Sequence, residues 1–243
     1  MPITIALAGN PNSGKTTVFN ALTGSRQHVG NWPGVTVDKK EGQYCKDKNL
    51  TILDLPGTYS LSPYSAEELI TRNYIVEERP ACIIDVVDGT SLERNLYLAL
   101  QIMETGTPTV LAVNMMDEVA AKGDVIDFAR LEAELGVAVV PMEARNNKGL
   151  DQLMEAVNRT IGQNRRPRQL EIYSLAGKVD EDTLADRRYS YIQALVDTCV
   201  QSKKNQAVHG ESLSDKLDKV LTHRFFALPV FALVMYALFA MTF

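Results

Sequence analysis

Gly9-Asn10-Pro11-Asn12-Ser13-Gly14-Lys15-Thr16-Thr17 is the stretch that decides the fold of this chain. It follows the phosphate-binding pattern of Gly, four residues, then Gly-Lys-Ser/Thr. Two glycines let the backbone fold tightly, so that successive N–H groups point inward at bound phosphates. Lys15 reaches the outer phosphates and the Thr16 hydroxyl is placed to ligate Mg2+. A helix beginning after the loop adds its positive N-terminal end to the anion site.

The flanking sequence supplies the setting that the motif requires. The apolar run 3–8 reads as a buried strand, and 17–22 as a helix with an apolar face of Val18, Phe19, Ala21 and Leu22. Residues 24–37 are rich in Gly, Asn and Pro and read as a mobile loop. Residues 37–46 and 50–55 read as two antiparallel strands around the charged turn Asp47-Lys48-Asn49. A helix over 66–78, a strand over 82–87 and a helix over 92–104 follow, the last with Leu92, Leu96, Ala99, Leu100 and Met103 on one face. Then come a strand over 109–113, a short helix over 128–135 stopped by Gly136, a strand over 137–140 and a helix over 150–161. This alternation predicts an α/β fold, a mostly parallel sheet with helices on both faces. Ligands of such sheets sit beyond the carboxyl ends of the strands, where every candidate residue named below falls.

The remaining sequence bounds the setting. A net charge of −5 over 243 residues argues against a general nucleic-acid binder, and no nucleic-acid partner is expected. Cys45, Cys82 and Cys199 share no metal or redox spacing and suit a reducing compartment. The N-terminus enters a strand at once, so no cleavable signal peptide is expected. Residues 162–168 (GQNRRPR) read as a linker. It separates a nucleotide-binding domain over 1–164 from a small all-α domain over 165–222. That domain should hold a helix over 182–203, with Ile192, Leu195, Val196 and Cys199 on one face, and another through Leu213, Leu217, Val220 and Leu221. Residues 225–243 contain no charge and have transmembrane length, with His223 and Arg224 just before them. Residues 223–243 are therefore expected to start a membrane helix, with the preceding chain on the cytoplasmic face. The chain stops where the span would end, as a longer protein cut there would.

A phosphate loop identifies a nucleotide but not its base. Asn114-Met115-Met116-Asp117 follows a buried strand and resembles the guanine-reading Asn-Lys-x-Asp motif of GTPases. A carboxylate there accepts hydrogen bonds from the N1–H and the exocyclic amine of guanine, which adenine cannot supply. Met115 replaces the lysine, so cation support is lost. Asp54-Leu55-Pro56-Gly57 matches the Asp-x-x-Gly motif, with Asp54 holding Mg2+ and the Gly57 N–H sensing the third phosphate. Thr36 is the candidate second hydroxyl for Mg2+, preceded by Gly34 and Val35. Glu143-Ala144-Arg145 resembles the guanine-supporting Ser-Ala-Lys loop, with Glu143 where Ser is usual. Thr58 stands where Ras-like enzymes place a water-orienting Gln, which predicts slow hydrolysis. Related GTPases with Asn at the place of Asn12 hold K+ with its side-chain oxygen, and the backbone of Gly30 to Trp32 would complete such a site. Lys15, Asn12, Thr36 and Gly57 are the groups expected to act on the phosphates.

Together with Gly30-Asn31-Trp32-Pro33-Gly34-Val35-Thr36 and Asp54-Leu-Pro-Gly-Thr-Tyr-Ser60, these motifs resemble the bacterial ferrous iron transport protein B family. Ser214-Asp-Lys-Leu-Asp218 followed by His223-Arg224 resembles the place where that family enters the membrane. The resemblance covers essentially the whole chain. It implies a Ras-like GTPase domain that binds GTP and GDP with Mg2+, stimulated by K+, then a helical domain that slows nucleotide release. Beyond these it implies a multi-span Fe2+ permease in the bacterial inner membrane. The partners it implies are the rest of the permease, the membrane, small cytosolic accessory iron-transport proteins and further copies of the chain. Two other readings stay open at this point. One is a soluble GTPase of ribosome or tRNA maturation, which leaves the apolar end unexplained. The other is a nucleotide sensor that scarcely hydrolyses, which Thr58 keeps alive.

Overall fold

Alternating strand residues send their side chains to opposite faces, and here both faces are apolar. Ile5 and Leu7 of the first strand join one core cluster, while Ala6 and Ala8 join another. The computed structural model describes residues 3–24, 27–62, 64–175 and 177–201, with Met235, Phe239 and Ala240. Its strands are β1 (Ile3–Gly9), β2 (Gln27–Asn31), β3 (Asp38–Tyr44), β4 (Asp47–Asp54), β5 (Cys82–Asp88), β6 (Thr109–Asn114), β7 (Val125–Ile126), β8 (Ala138–Pro141) and β9 (Val200–Gln201). The main sheet has the order β2-β3-β4-β1-β5-β6-β8. β1 pairs parallel with β4 and β5, β5 with β6, and β6 with β8, whereas β2, β3 and β4 are antiparallel neighbours.

Helices α1 (Lys15–Thr23) and α6 (Leu150–Gly162) cover one face, where Val18, Phe19, Leu22, Leu153 and Val157 bury against β1, β4 and β5. A fully buried Phe or Leu side chain contributes about 1.5–3 kcal/mol each. The other face takes α2 (Ala66–Asn73), α3 (Leu92–Glu104) and α5 (Phe128–Leu135). A capping box at Ser65 and Glu68 starts α2, and a π-helical turn, Tyr74–Glu78, extends it. The expected mostly parallel sheet with helices on both faces is therefore present.

Three features differ from the sequence expectation. The loop expected over 24–37 contains strand β2, which adds to the sheet edge beside β3. Gln27–Asn31 lacks a hydrophobic alternation because it is an edge strand with most of its residues exposed or half-buried. A short helix, α4 (Met116–Lys122), follows β6; its single buried residue, Val119, leaves no period to read. Helix α7 (Glu181–Cys199) ends short of the expected 203, because Val200 turns extended and pairs with Ile126 in a two-stranded sheet.

Helix α7 buries Leu184, Arg188, Ile192, Leu195 and Cys199 at helical spacing, and the three apolar ones from Ile192 onward join the same cluster as α3 and α5. No break in packing falls at 164, and one compact unit runs to Gln201. In the second unit Met235, Phe239 and Ala240 are helical and exposed. The expected helix through Leu213 to Leu221 lies outside the described residues, as does the span over 223–243 apart from those three. Among the described residues no helix is long and apolar enough to cross a membrane.

Candidate functional site

Five parallel strands end on one rim of the sheet, and the candidate residues lie at or just after the ends of four of them, β1, β4, β6 and β8. The phosphate loop leaves β1 at Gly9, whose φ is 150°. A Cβ there would lie 2.5 Å from the Val86 carbonyl oxygen of β5, so only glycine lets the two strands approach this closely. Asn12 takes the left-handed conformation at φ 67°, and Gly14 does so at φ 90°. The Ser13 N–H donates to the Asn10 carbonyl at 3.2 Å, closing the turn. Inside it the Ser13 hydroxyl and the Asn10 side-chain N–H group are buried without partners.

Asn114 holds the site together. Its side-chain N–H group donates to the Ser13 carbonyl at 3.0 Å, and its side-chain oxygen accepts from the Ala144 N–H at 2.9 Å. One buried amide thus clips the phosphate loop to the loop after β8. A Cβ on Gly14 would fall 2.2 Å from the Asn114 side-chain nitrogen, which explains the second glycine of the motif. Met115 is left-handed at φ 63° and turns the chain into α4, so that exposed Asp117 lies in its first turn. The Met116 N–H donates to the Met142 carbonyl at 3.2 Å, a second tie between the same loops.

Asp54 ends β4, is buried, and pairs with the Lys15 ammonium, itself nearly buried. Thr16 is exposed in the first turn of α1. The Thr16 hydroxyl and Asp54 carboxylate are hard oxygen donors of the kind Mg2+ takes. Gly57 packs beside Pro11, and the Thr58 N–H donates to the Gly9 carbonyl at 3.3 Å. Thr58 itself is buried, with its hydroxyl unpartnered. The Leu61 N–H binds the Gln101 side-chain oxygen at 2.8 Å, and the Thr71 hydroxyl donates to the Pro56 carbonyl at 3.2 Å. The segment after Asp54 is thereby fastened to α3 and α2, with Leu55 in the core.

The 30–36 segment stands apart. Gly30 is held in β2 opposite Lys39. Trp32 is buried, meets Tyr74 edge-on at 5.6 Å, and has the Lys39 ammonium 5.5 Å above its ring. Its backbone N–H donates to the Val37 carbonyl at 2.9 Å and its backbone carbonyl accepts from the Val35 N–H at 3.3 Å, while the indole N–H is buried without a partner. Gly34 and Thr36 are exposed and Val35 half-buried. Among the described residues no hydrogen bond joins 30–36 to the phosphate loop. The asparagine and carbonyl oxygens of Asn12, Gly30 and Trp32 suit K+ in kind, but they lie on two segments that the structure does not tie together.

Glu143 accepts from Lys148 at 2.8 Å and from the Asn146 side chain at 2.9 Å. These bonds hold its carboxyl below the usual range, the Lys148 bond foremost. Ala144 is buried, and Arg145 is exposed. Two residues escaped the sequence reading. Lys148 is one; the other is Asp85, in the middle of β5 and in register with Ala8 and Leu111. Both Asp85 oxygens are buried without a partner, and burial pushes its carboxyl up to about 7. The only signal for Asp85 was an acid inside an otherwise apolar run.

The chain matches the model of the family described as Ferrous iron transport protein B over residues 3–157. The Fe(2+) transport protein A/Fe(2+) transporter FeoB fusion protein of Porphyromonas gingivalis is 34% identical, over 99% of this chain and 37% of its own length. The chain thus spans a little over a third of the length of the curated relatives it matches. Among solved structures, the cytosolic domain of the T. maritima FeoB iron transporter in its GMPPNP form superposes with a TM-score of 0.74 at 31% identity, over 82% of this chain and 100% of that one. An S. thermophilus NFeoB E67A mutant bound to GDP superposes with a TM-score of 0.69 at 33% identity, over 82% and 100% of the two chains.

Proposed function

Since the chain belongs to the ferrous iron transport protein B family, we propose that it is the GTP-binding and slowly GTP-hydrolysing part of an Fe2+ transporter in the bacterial inner membrane. Nucleotide state on the cytoplasmic side then regulates iron uptake. The observation that carries the reading is Asn114, whose one side chain binds both the phosphate loop and the base-side loop. A nucleotide lying along that rim meets both at once. The relatives solved with GDP and GMPPNP support the same occupant. The fusion of a transport protein A to a relative supports a small accessory iron-transport protein as a partner.

The roles follow from the geometry. The loop N–H groups and the end of α1 bind phosphate oxygens. Lys15 leaves Asp54 for the phosphates when nucleotide binds. Thr16 and Asp54, with Thr36, are the residues that would hold Mg2+, which would supply charge neutralisation at the phosphates. Asp117 reads guanine. The Gly57 N–H and Thr36 respond to the third phosphate, so its loss frees both segments. Hydrolysis is slow because buried Thr58 offers no group to an attacking water. Asn12, with the Gly30 and Trp32 carbonyls if 30–36 closes onto the phosphate loop, would hold K+, which would supply the charge that other GTPases obtain from an arginine.

Asp117→Asn tests this reading in two settings. In the isolated chain it should abolish GTP turnover, which for the wild type should run faster in KCl than in NaCl and lose that difference in Asn12→Ala. In cells carrying the full-length gene it should abolish Fe2+ uptake. No wild-type phosphate release in either salt would refute the enzyme, and uptake indifferent to Asp117 would refute the coupling to transport.

A further inference from the structure

Asn114-Met115-Met116-Asp117 has no cation where the guanine-reading motif has lysine. The loop that carries Lys148 is tied to the segment that carries Asp117. After β8, the Glu143 N–H donates to the Lys148 carbonyl at 3.2 Å and the Lys148 N–H returns the bond to Glu143 at 3.1 Å. These paired bonds close a loop of six residues. Its exit needs Gly149 at φ 86°, where a Cβ would lie 2.6 Å from the Pro141 carbonyl oxygen. Across the mouth of this loop the Glu143 carboxylate grips the Lys148 ammonium at 2.8 Å and the Asn146 amide at 2.9 Å. The Glu143 side chain is 20% exposed and that of Lys148 67%, so the acid is seated in the loop and the ammonium stands at the rim.

The loop cannot drift away from Asp117. Ala144 is tied to Asn114 at 2.9 Å, and Met142 to Met116, the residue before Asp117, at 3.2 Å. Lys148 and Asp117 therefore project from two segments fastened to each other. The electrostatics agree: Glu143, by hydrogen bond and then by charge, holds the Lys148 ammonium above its ordinary pKa, and the Asp117 carboxylate adds to that shift. Glu143, which departs from the serine usual at its position, is accounted for as the group that aims Lys148.

Building on the guanine-nucleotide reading above, we propose that Lys148, positioned by Glu143, is the cation of the base pocket: it stands beside Asp117 and covers the bound guanine in place of the lysine that Met115 replaces. An ammonium there aims the Asp117 carboxylate at the two guanine donors. It also lies over the base in the manner of a cation on an aromatic face. The Met115 side chain is left to contribute apolar contact alone.

Dissociation of a fluorescent GDP from the purified chain tests the assignment. Lys148→Ala should release it about three- to fivefold faster, the size expected of one rim-exposed cation beside a carboxylate and a ring. Lys148→Arg should stay near the wild type, and Glu143→Ser should move part of the way, since it loosens the cation without removing it. Two results separate a pocket cation from a loop brace. Met115→Lys should restore slow release to Lys148→Ala. In an Asp117→Asn background, Lys148→Ala should change release by much less than it does alone. Wild-type release rates in Lys148→Ala, failure of Met115→Lys to restore them, or an undiminished effect without the Asp117 carboxylate would each overturn the proposal. A wild type that retains fluorescent ADP as well as it retains GDP would overturn the guanine reading itself. Guanine selectivity with no Lys148 effect would overturn this inference alone.

Discussion

Replacing Asp85 by Asn should make the protein more stable at neutral and alkaline pH and remove part of its pH dependence. Asp85 is wholly buried in β5, neither oxygen has a partner, and burial raises its pKa from 3.8 to about 7. Below pH 3.8 folded and unfolded chains both hold the proton. Between there and about 7 only the folded chain holds it, so stability falls as pH rises, by about 1.4 kcal/mol for each unit. Above about 7 both forms have lost it and the slope ends. The burial of this one carboxyl therefore withdraws up to about 4 kcal/mol by pH 8, of which roughly 3 kcal/mol is lost between pH 5 and pH 8. Asn has the same shape and no charge to bury. Urea unfolding of wild type and Asp85→Asn at pH 5, 6, 7 and 8 should give two stability curves that diverge by that amount as pH rises. Curves that run parallel from pH 5 to pH 8 would refute the reasoning, because they would show that Asp85 does not change protonation on unfolding in that window.

Asn114→Ala leaves the Ser13 carbonyl and the Ala144 N–H without partners in the interior. Urea unfolding should show a loss of about 2–3 kcal/mol, and GDP should dissociate faster because both walls of its site are released. Arg188 is buried on α7 and binds Glu104 of α3 at 2.7 Å and Glu181 at 3.4 Å. Arg188→Ala leaves the mostly buried Glu104 carboxylate unpaired and should cost about 3 kcal/mol by the same measurement. Adding Glu104→Gln should recover much of it, and no recovery would mean that packing of the Arg188 stem, not its charge, holds α7 down.

What the chain announces locally came through in the sequence. Gly9, Gly14, Lys15 and Thr16 are readable because a phosphate cradle needs a fixed spacing of donors along one stretch of backbone. The buried strands and the apolar stripes of α1, α3 and α6 are readable because burial imposes periods of two and 3.6. Asp54 and Asp117 are readable because one ends a strand and the other comes just after one, where the sheet delivers its ligands. The features that only the tertiary structure decided depend on groups far apart in sequence. Residues 27–31 form a strand because β3 offers them an edge, not because of any pattern of their own. Val200 pairs with Ile126 across a gap that no local propensity spans. Asn114 reaches Ser13 and Ala144, Arg188 reaches Glu104, and Met116 meets Met142 only once the strands lie side by side. Hydrogen-bond geometry and charge act through space over a few ångströms. Sequence periodicity records which face of each element is buried, and is silent on which polar group will meet which across the rim.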